Sequence, residues 1–261
     1  MDFIEDLLHR RTDLSTFLIH LTRDSPEKGG PTARENLLSI LDEGLIEART
    51  AFGPAAHLED ELRPVVTQKV VCFTETPLEH TWMMLKDIKG RTVHFQPYGL
   101  AITKTTARKG GCNPVWYSHM ALKKGQWKDF AITAINEMVR AAKARATGED
   151  GAVDYEQLSA EPVFKLTPFF EQMGYTSSTR KEFWWEREWR HIGDYHLPQP
   201  RRIVAVLAPA DDHDQLREDL AEIDERWSRR PLLDPRWGLE RMIAAMAQIS
   251  DEHIGPFPER D

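Results

Sequence analysis

The chain has 261 residues, 41% of them hydrophobic and 29% charged, and a formal net charge of −8. That balance fits a globular fold with a proper core and excludes a protein built to coat nucleic acid, which needs a basic stripe. The two cysteines, Cys72 and Cys112, have no ligand-spaced partners, so no zinc site is expected.

Met1 to Asp6 carries acids where a signal peptide needs a basic segment, and no apolar run is long enough to span a bilayer, so the chain reads as cytoplasmic. Residues Asp2 to Arg10 have the pattern of a short amphipathic helix. Thr16-Phe17-Leu18-Ile19-His20-Leu21-Thr22-Arg23 reads as a strand that ends in polar groups, followed by a Pro/Gly loop. A helix then starts at Thr32, an N-cap with Glu35 three residues on, and stops at Gly44. Ala48 to Thr67 is irregular and reads as a lid or substrate loop. Lys69 to Glu75 is a second strand with Cys72 buried and reduced within it, and a helical stretch follows around Trp82 to Leu85. Tyr98 to Thr103 and Asn113 onward give two more strands.

Trp127 to Ala146 has helical spacing, and helical character resumes from Pro168 to Met173. Glu182-Phe183-Trp184-Trp185-Glu186-Arg187-Glu188-Trp189-Arg190 reads as one strand. At a period of two, Glu186, Glu188 and Arg190 share a face, while Trp185, Arg187 and Trp189 face the other way. Two like charges one repeat apart disfavour each other's ionisation unless a cation or a ligand compensates. Ile203 to Leu207 is a buried strand, Asp211 to Arg229 an amphipathic helix and Leu239 to Ile249 a last helix. The pattern is α+β.

Neither a Walker loop, nor GxGxxG, nor GxSxG follows any strand, so phosphate-loop and α/β-hydrolase chemistry are not expected. The polar residues left at strand ends are His20, Thr22, Arg23, Thr74, Glu75, Tyr98, Glu186, Glu188 and Arg190. Several have a plain structural alternative. His20 is a satisfied histidine, Thr74 and Glu75 end a strand and cap the next helix, Tyr98 is core, and Arg190 only neutralises the Glu pair. The basic runs Lys104 to Lys109 and Arg201-Arg202 read either as solvated faces or as phosphate contacts.

His20-Leu21-Thr22 followed by the helix NLLSILDEGL resembles the opening of small bacterial ADP-ribosyltransferase toxins. VVCFTETPLEHTWMM, YGLAITK, NPVWY and EREWR are similar to the abortive-infection family called AbiGi and to related phage-defence proteins. The resemblance implies an ADP-ribosyltransferase-like split β-sheet in a single domain. Its core would span about 14–120 and 180–208, with a helical insertion at 121–179 and C-terminal helices at 209–261. It further implies NAD as co-substrate, with His20 on the nicotinamide-side ribose, Thr22 or Arg23 at the phosphates, Tyr98 stacked on nicotinamide and Thr74 nearby. Glu188 would stabilise the oxocarbenium-like centre, and Glu186 would orient the nucleophile of an acceptor macromolecule. Some relatives of such toxins are antitoxin or accessory components. A non-catalytic binding module with a defence-system partner is therefore the second expectation.

Overall fold

The computed structural model describes residues 13–56, 58, 67–88, 91, 93–123, 126–128, 130–175, 180–250 and 253. The helix expected at Asp2 to Arg10, and most of 57–66 in the expected lid, lie outside the described residues. The protein is a mixed α+β structure with a multi-stranded sheet. No helix among the described residues is long and apolar enough to cross a membrane.

Besides the two-residue strands Leu45–Ile46 and Tyr195–His196, the strands in chain order are β1 (Phe17–Leu21), β2 (Arg49–Thr50), β3 (Lys69–Thr74), β4 (Gly99–Thr103), β5 (Asn113–Pro114), β6 (Trp116–Lys123), β7 (Gln126–Lys128), β8 (Phe170–Tyr175), β9 (Arg180–Lys181), β10 (Glu188–Ile192), β11 (Ile203–Leu207) and β12 (Leu232–Leu233). The helices are α1 (Ala33–Glu43), α2 (Lys104–Lys109), α3 (Phe130–Arg145), α4 (Tyr155–Ala160), α5 (Val163–Leu166), α6 (His213–Ile223), α7 (Glu225–Ser228) and α8 (Leu239–Met246), with short 3-10 turns between them. The chain divides into two compact units. The first holds 1–45, 73–109 and 196–261, and the second holds 46–72 and 110–195.

In the first unit β1 is the axis. It pairs antiparallel with β4 from Phe17↔Thr103 to Leu21↔Gly99, and with the end of β3 at Ile19↔Thr74. On the other side of β4 runs β11, antiparallel with a bulge between Ile203 and Ala205, and β12 adds parallel to β11 at Val206↔Leu232. Leu18, Ile19, Leu100, Ile102, Val206 and Leu207 are all buried, as continuous apolar strands require. Gly99 is dictated by the pairing: a Cβ there would lie 2.2 Å from the His20 carbonyl oxygen. Helix α1 starts with the expected capping box, Thr32 and Glu35 bonding reciprocally, and ends on Gly44 in the left-handed conformation. Its buried Leu37 and Leu41 share the first unit with Leu216 and Leu220 of α6.

In the second unit, β9, β8, β6 and β7 form a sheet in that order. The pair β6–β8 is parallel, from Trp116↔Phe170 to Met120↔Gly174. Helices α3, α4 and α5 close over a cluster of Leu58, Ile135, Val139, Ala142, Leu158 and Phe164. Strand β10 pairs antiparallel with β5 at Trp189↔Pro114, and the N–H of Gly193 donates to the carbonyl of Lys69 (2.9 Å).

Several expectations are corrected. Residues 121–179 hold helices but also the strands β7 and β8, so they are not a purely helical insertion. Helical character was expected from Pro168 to Met173, but Phe170–Tyr175 is a strand; a short apolar run carries no period that separates the two. The Glu-rich stretch is not one strand: Trp184–Glu186 is a 3-10 turn, Arg187 takes φ 48°, and the strand starts only at Glu188. Cys72 is exposed, not buried. The long C-terminal helix is likewise broken at Asp224, whose carboxylate caps α7.

Candidate functional site

The expected cofactor residues His20, Thr22, Arg23, Thr74 and Tyr98 belong to the first unit, and Glu186 and Glu188 to the second. In the first unit, local hydrogen bonding claims several of them. The Thr22 hydroxyl is buried and is shared between the carbonyls of Ala33 (2.8 Å) and Tyr98 (3.2 Å), fastening the end of β1 to the start of α1. The Thr74 hydroxyl pairs with that of Thr76 (2.8 Å) and accepts the Thr76 N–H (3.1 Å), a turn that closes β3. Glu75 beside it is 5% exposed and meets Lys104 Nζ at 2.6 Å. Half-buried His20 stands edge-on to Phe73, with ring centroids 5.7 Å apart. Arg23 is exposed, and its carbonyl accepts from Asn36 Nδ2 (2.8 Å).

Tyr98 belongs to a charge cluster. Its hydroxyl donates to Asp212 Oδ2 (3.2 Å), and the same oxygen accepts from Arg34 Nε (2.8 Å), while Arg34 Nη2 reaches Asp219 (2.7 Å). Burial and then the charge of Asp212 push the phenol up to about 12, so it stays neutral and remains a donor.

The second unit holds a denser constellation around Arg190. Glu188 and Arg190 share a face of β10, and the guanidinium grips the carboxylate in a fork: Nε to Oε1 at 2.9 Å and Nη2 to Oε2 at 3.0 Å. Arg190 Nη2 also reaches Glu171 Oε2 on β8 (2.7 Å), and Nη1 donates to the Pro168 carbonyl (2.6 Å). The other oxygen of Glu171 takes Lys181 Nζ from β9 at 2.5 Å. The side chains of Arg190 and Glu171 are 0% and 3% exposed, those of Glu188 and Lys181 20% and 34%. Burial alone would lower the Arg190 pKa, but the Glu188 carboxylate and its neighbours outweigh it and hold the cation firmly charged.

The Tyr117 hydroxyl accepts the Glu188 backbone N–H (2.7 Å), and its pKa is raised, first by burial and then by the Glu188 charge. Cys72 keeps solvent contact, yet its thiol pKa is pushed well up by the protein crowded around it and then by Glu188; it is a neutral thiol, not a thiolate.

Chemically, this is two carboxylates and two cations that neutralise one another. Glu186 does not share the Glu188 strand face, because the left-handed Arg187 breaks the alternation between them. Glu171 and Lys181 were not singled out from sequence. The available signal was FFEQMGY, whose single acid in an apolar run fits a strand with one charged position facing a buried cation. A separate concavity of about 420 Å³ involves Glu47, Arg49, Thr67, Lys69 and Asp194. Its acids are also engaged, Glu47 by Arg49 (2.8 Å) and Asp194 by the Ala48 N–H (2.7 Å).

The fold and the paired charges define a mixed α+β protein whose most buried ionic centre is self-neutralised. The family described as "Putative abortive phage resistance protein AbiGi, antitoxin" matches residues 46–210, more than half of the chain. The chain belongs to this family. No curated protein and no solved structure matches it. The match spans the whole second unit, including Glu186 and Glu188, and takes in Thr74 and Tyr98; His20, Thr22 and Arg23 lie before it.

Proposed function

We propose that this chain is the antitoxin component of an abortive-infection system and acts by binding a partner protein, not by consuming NAD. One observation carries the reading. The carboxylate that the transferase chemistry would need, Glu188, has both oxygens bonded to a guanidinium with no solvent exposure. A catalytic acid has to face the developing positive charge of a substrate, whereas a carboxylate held this way is a counter-ion. The antitoxin description of the matched family supports the same assignment. The second unit also exposes Phe52, Trp116 and Trp184 at 48%, 50% and 59%, the kind of side chain that anchors protein interfaces.

The test is co-expression with the toxin of the same defence locus, reading cell growth and co-purification, beside nicotinamide release from NAD by the purified chain. The expected result is rescued growth, a stable complex, no nicotinamide release, and the same rescue by folded Glu188→Gln. Nicotinamide release by the wild-type chain that disappears in folded Glu188→Gln would overturn this reading in favour of the transferase.

A further inference from the structure

Against the net charge of −8, the first unit carries two arginine pairs, Arg201-Arg202 and Arg229-Arg230, ahead of neighbouring strands. The 3-10 turn Pro200–Arg202 leads directly into β11, and Arg229 and Arg230 lead into β12. These two strands are parallel neighbours, with Val206 opposite Leu232 and the Val206 N–H donating to the Pro231 carbonyl (3.0 Å). Both arginine pairs therefore enter from the same end of the sheet, and the turn packs against α7. Arg217 joins them from α6 by donating to the Ser228 carbonyl.

Asp224 is engaged by Arg226 (2.6 Å), and Glu225 meets Arg229 at 3.3 Å in a pair exposed on both sides. Arg201 and Arg202 are exposed and have no ion-pair partner among the described residues. Arg230 is half-buried, and its Nε is the one buried side-chain polar atom among the described residues without a hydrogen-bond partner.

We propose that this corner binds a compact phosphate-ester anion, of the kind carried by a nucleoside polyphosphate. Guanidinium forks match phosphate oxygens in geometry and charge. An extended nucleic acid is disfavoured because the rest of the chain is acidic and repels a long phosphate track. The site is independent of the antitoxin reading.

The experiment titrates the full chain with inorganic tripolyphosphate at low salt by calorimetry, using wild type, the double variant Arg201→Gln/Arg202→Gln and the single variant Arg230→Gln. Wild type is expected to bind saturably, and each variant to bind about tenfold more weakly or worse, since each loses charge-assisted hydrogen bonds. The double variant changes only exposed side chains that have no ion-pair partner among the described residues, so its thermal melt should match wild type and keep the comparison valid if Arg230→Gln unfolds. No binding by folded wild type, or unchanged binding by the folded double variant, overturns the site. A single-stranded oligonucleotide lacking terminal phosphates is the further arm. If it binds more tightly than tripolyphosphate through the same arginines, the compact-anion assignment is wrong.

Discussion

Replacing Arg190 by Met tests whether the second unit is held by its charge network. Methionine keeps the length and the apolar stem but removes the guanidinium. Glu171, 3% exposed, would retain only Lys181, the Pro168 carbonyl would lose its donor, and Glu188 would lose both hydrogen bonds. Breaking a buried ion pair by removing one partner costs about 3–5 kcal/mol, because the other charge stays buried. At about 2–4 °C per kcal/mol for a chain of this size, the midpoint should fall by roughly 6–20 °C. Glu188→Gln should cost far less, about 1 kcal/mol, because Glu188 is 20% exposed and Glu171 still faces the arginine. In Arg190→Met/Glu171→Gln the stranded carboxylate is gone, so the double variant should regain part of the loss. The assay is urea unfolding of wild type, Arg190→Met, Glu171→Gln and the double variant, read as a double-mutant cycle, with Glu188→Gln unfolded beside them. An Arg190→Met variant within about 1 kcal/mol of wild type would refute the argument, since it would mean that the guanidinium is not the counter-charge Glu171 depends on.

Gly99→Ala should destabilise the first unit by at least about 2 kcal/mol, because the added methyl would meet the His20 carbonyl at 2.2 Å; near-wild-type urea unfolding would contradict the β1–β4 register. Thr32→Ala should cost about 1 kcal/mol through loss of the capping box, again read by urea unfolding. His213 has its pKa lowered, chiefly by burial, and bonds to the Ala208 carbonyl (3.0 Å), so the folded state favours the neutral ring. Its contribution is present at neutral pH and is lost as pH falls below about 6.5, where the unfolded chain takes up the proton first. His213→Gln should flatten the fall of the melting midpoint between neutral and mildly acidic buffer, and an unchanged slope would count against the assignment.

Where local chemistry decides the structure, the sequence was easy to read. Thr32 and Glu35 bracket the start of α1 because the cap is written in four residues, and Gly44 ends it because only the left-handed conformation fits there. The β-branched and apolar runs at Phe17–Leu21 and Ile203–Leu207 are strands buried on both faces. The site was less legible. A period of two predicts which side chains share a face only while the backbone stays extended, and nothing in Glu-Arg-Glu announces that Arg187 turns left-handed. The partner of Arg190 was hidden for a different reason. Glu171 is 19 residues away and sits on a strand whose short apolar run gives no usable period. Long-range charge pairing leaves no local trace.

Arg34 carries a consequence for the architecture of the family. It joins α1 to Asp212 and Asp219, and all three residues fall outside the matched span 46–210. The stretches on either side of that span are thus clipped together by a guanidinium and two carboxylates, with Leu37 and Leu41 and with Leu216 and Leu220 buried in the same unit. Neither flank is self-sufficient: a recombinant fragment ending at residue 210 would strand a cation and bare the apolar stripe of α1. Lineages of this family should therefore have gained or shed the two flanks as a pair, and any trimmed version made for crystallisation has to keep both or remove both.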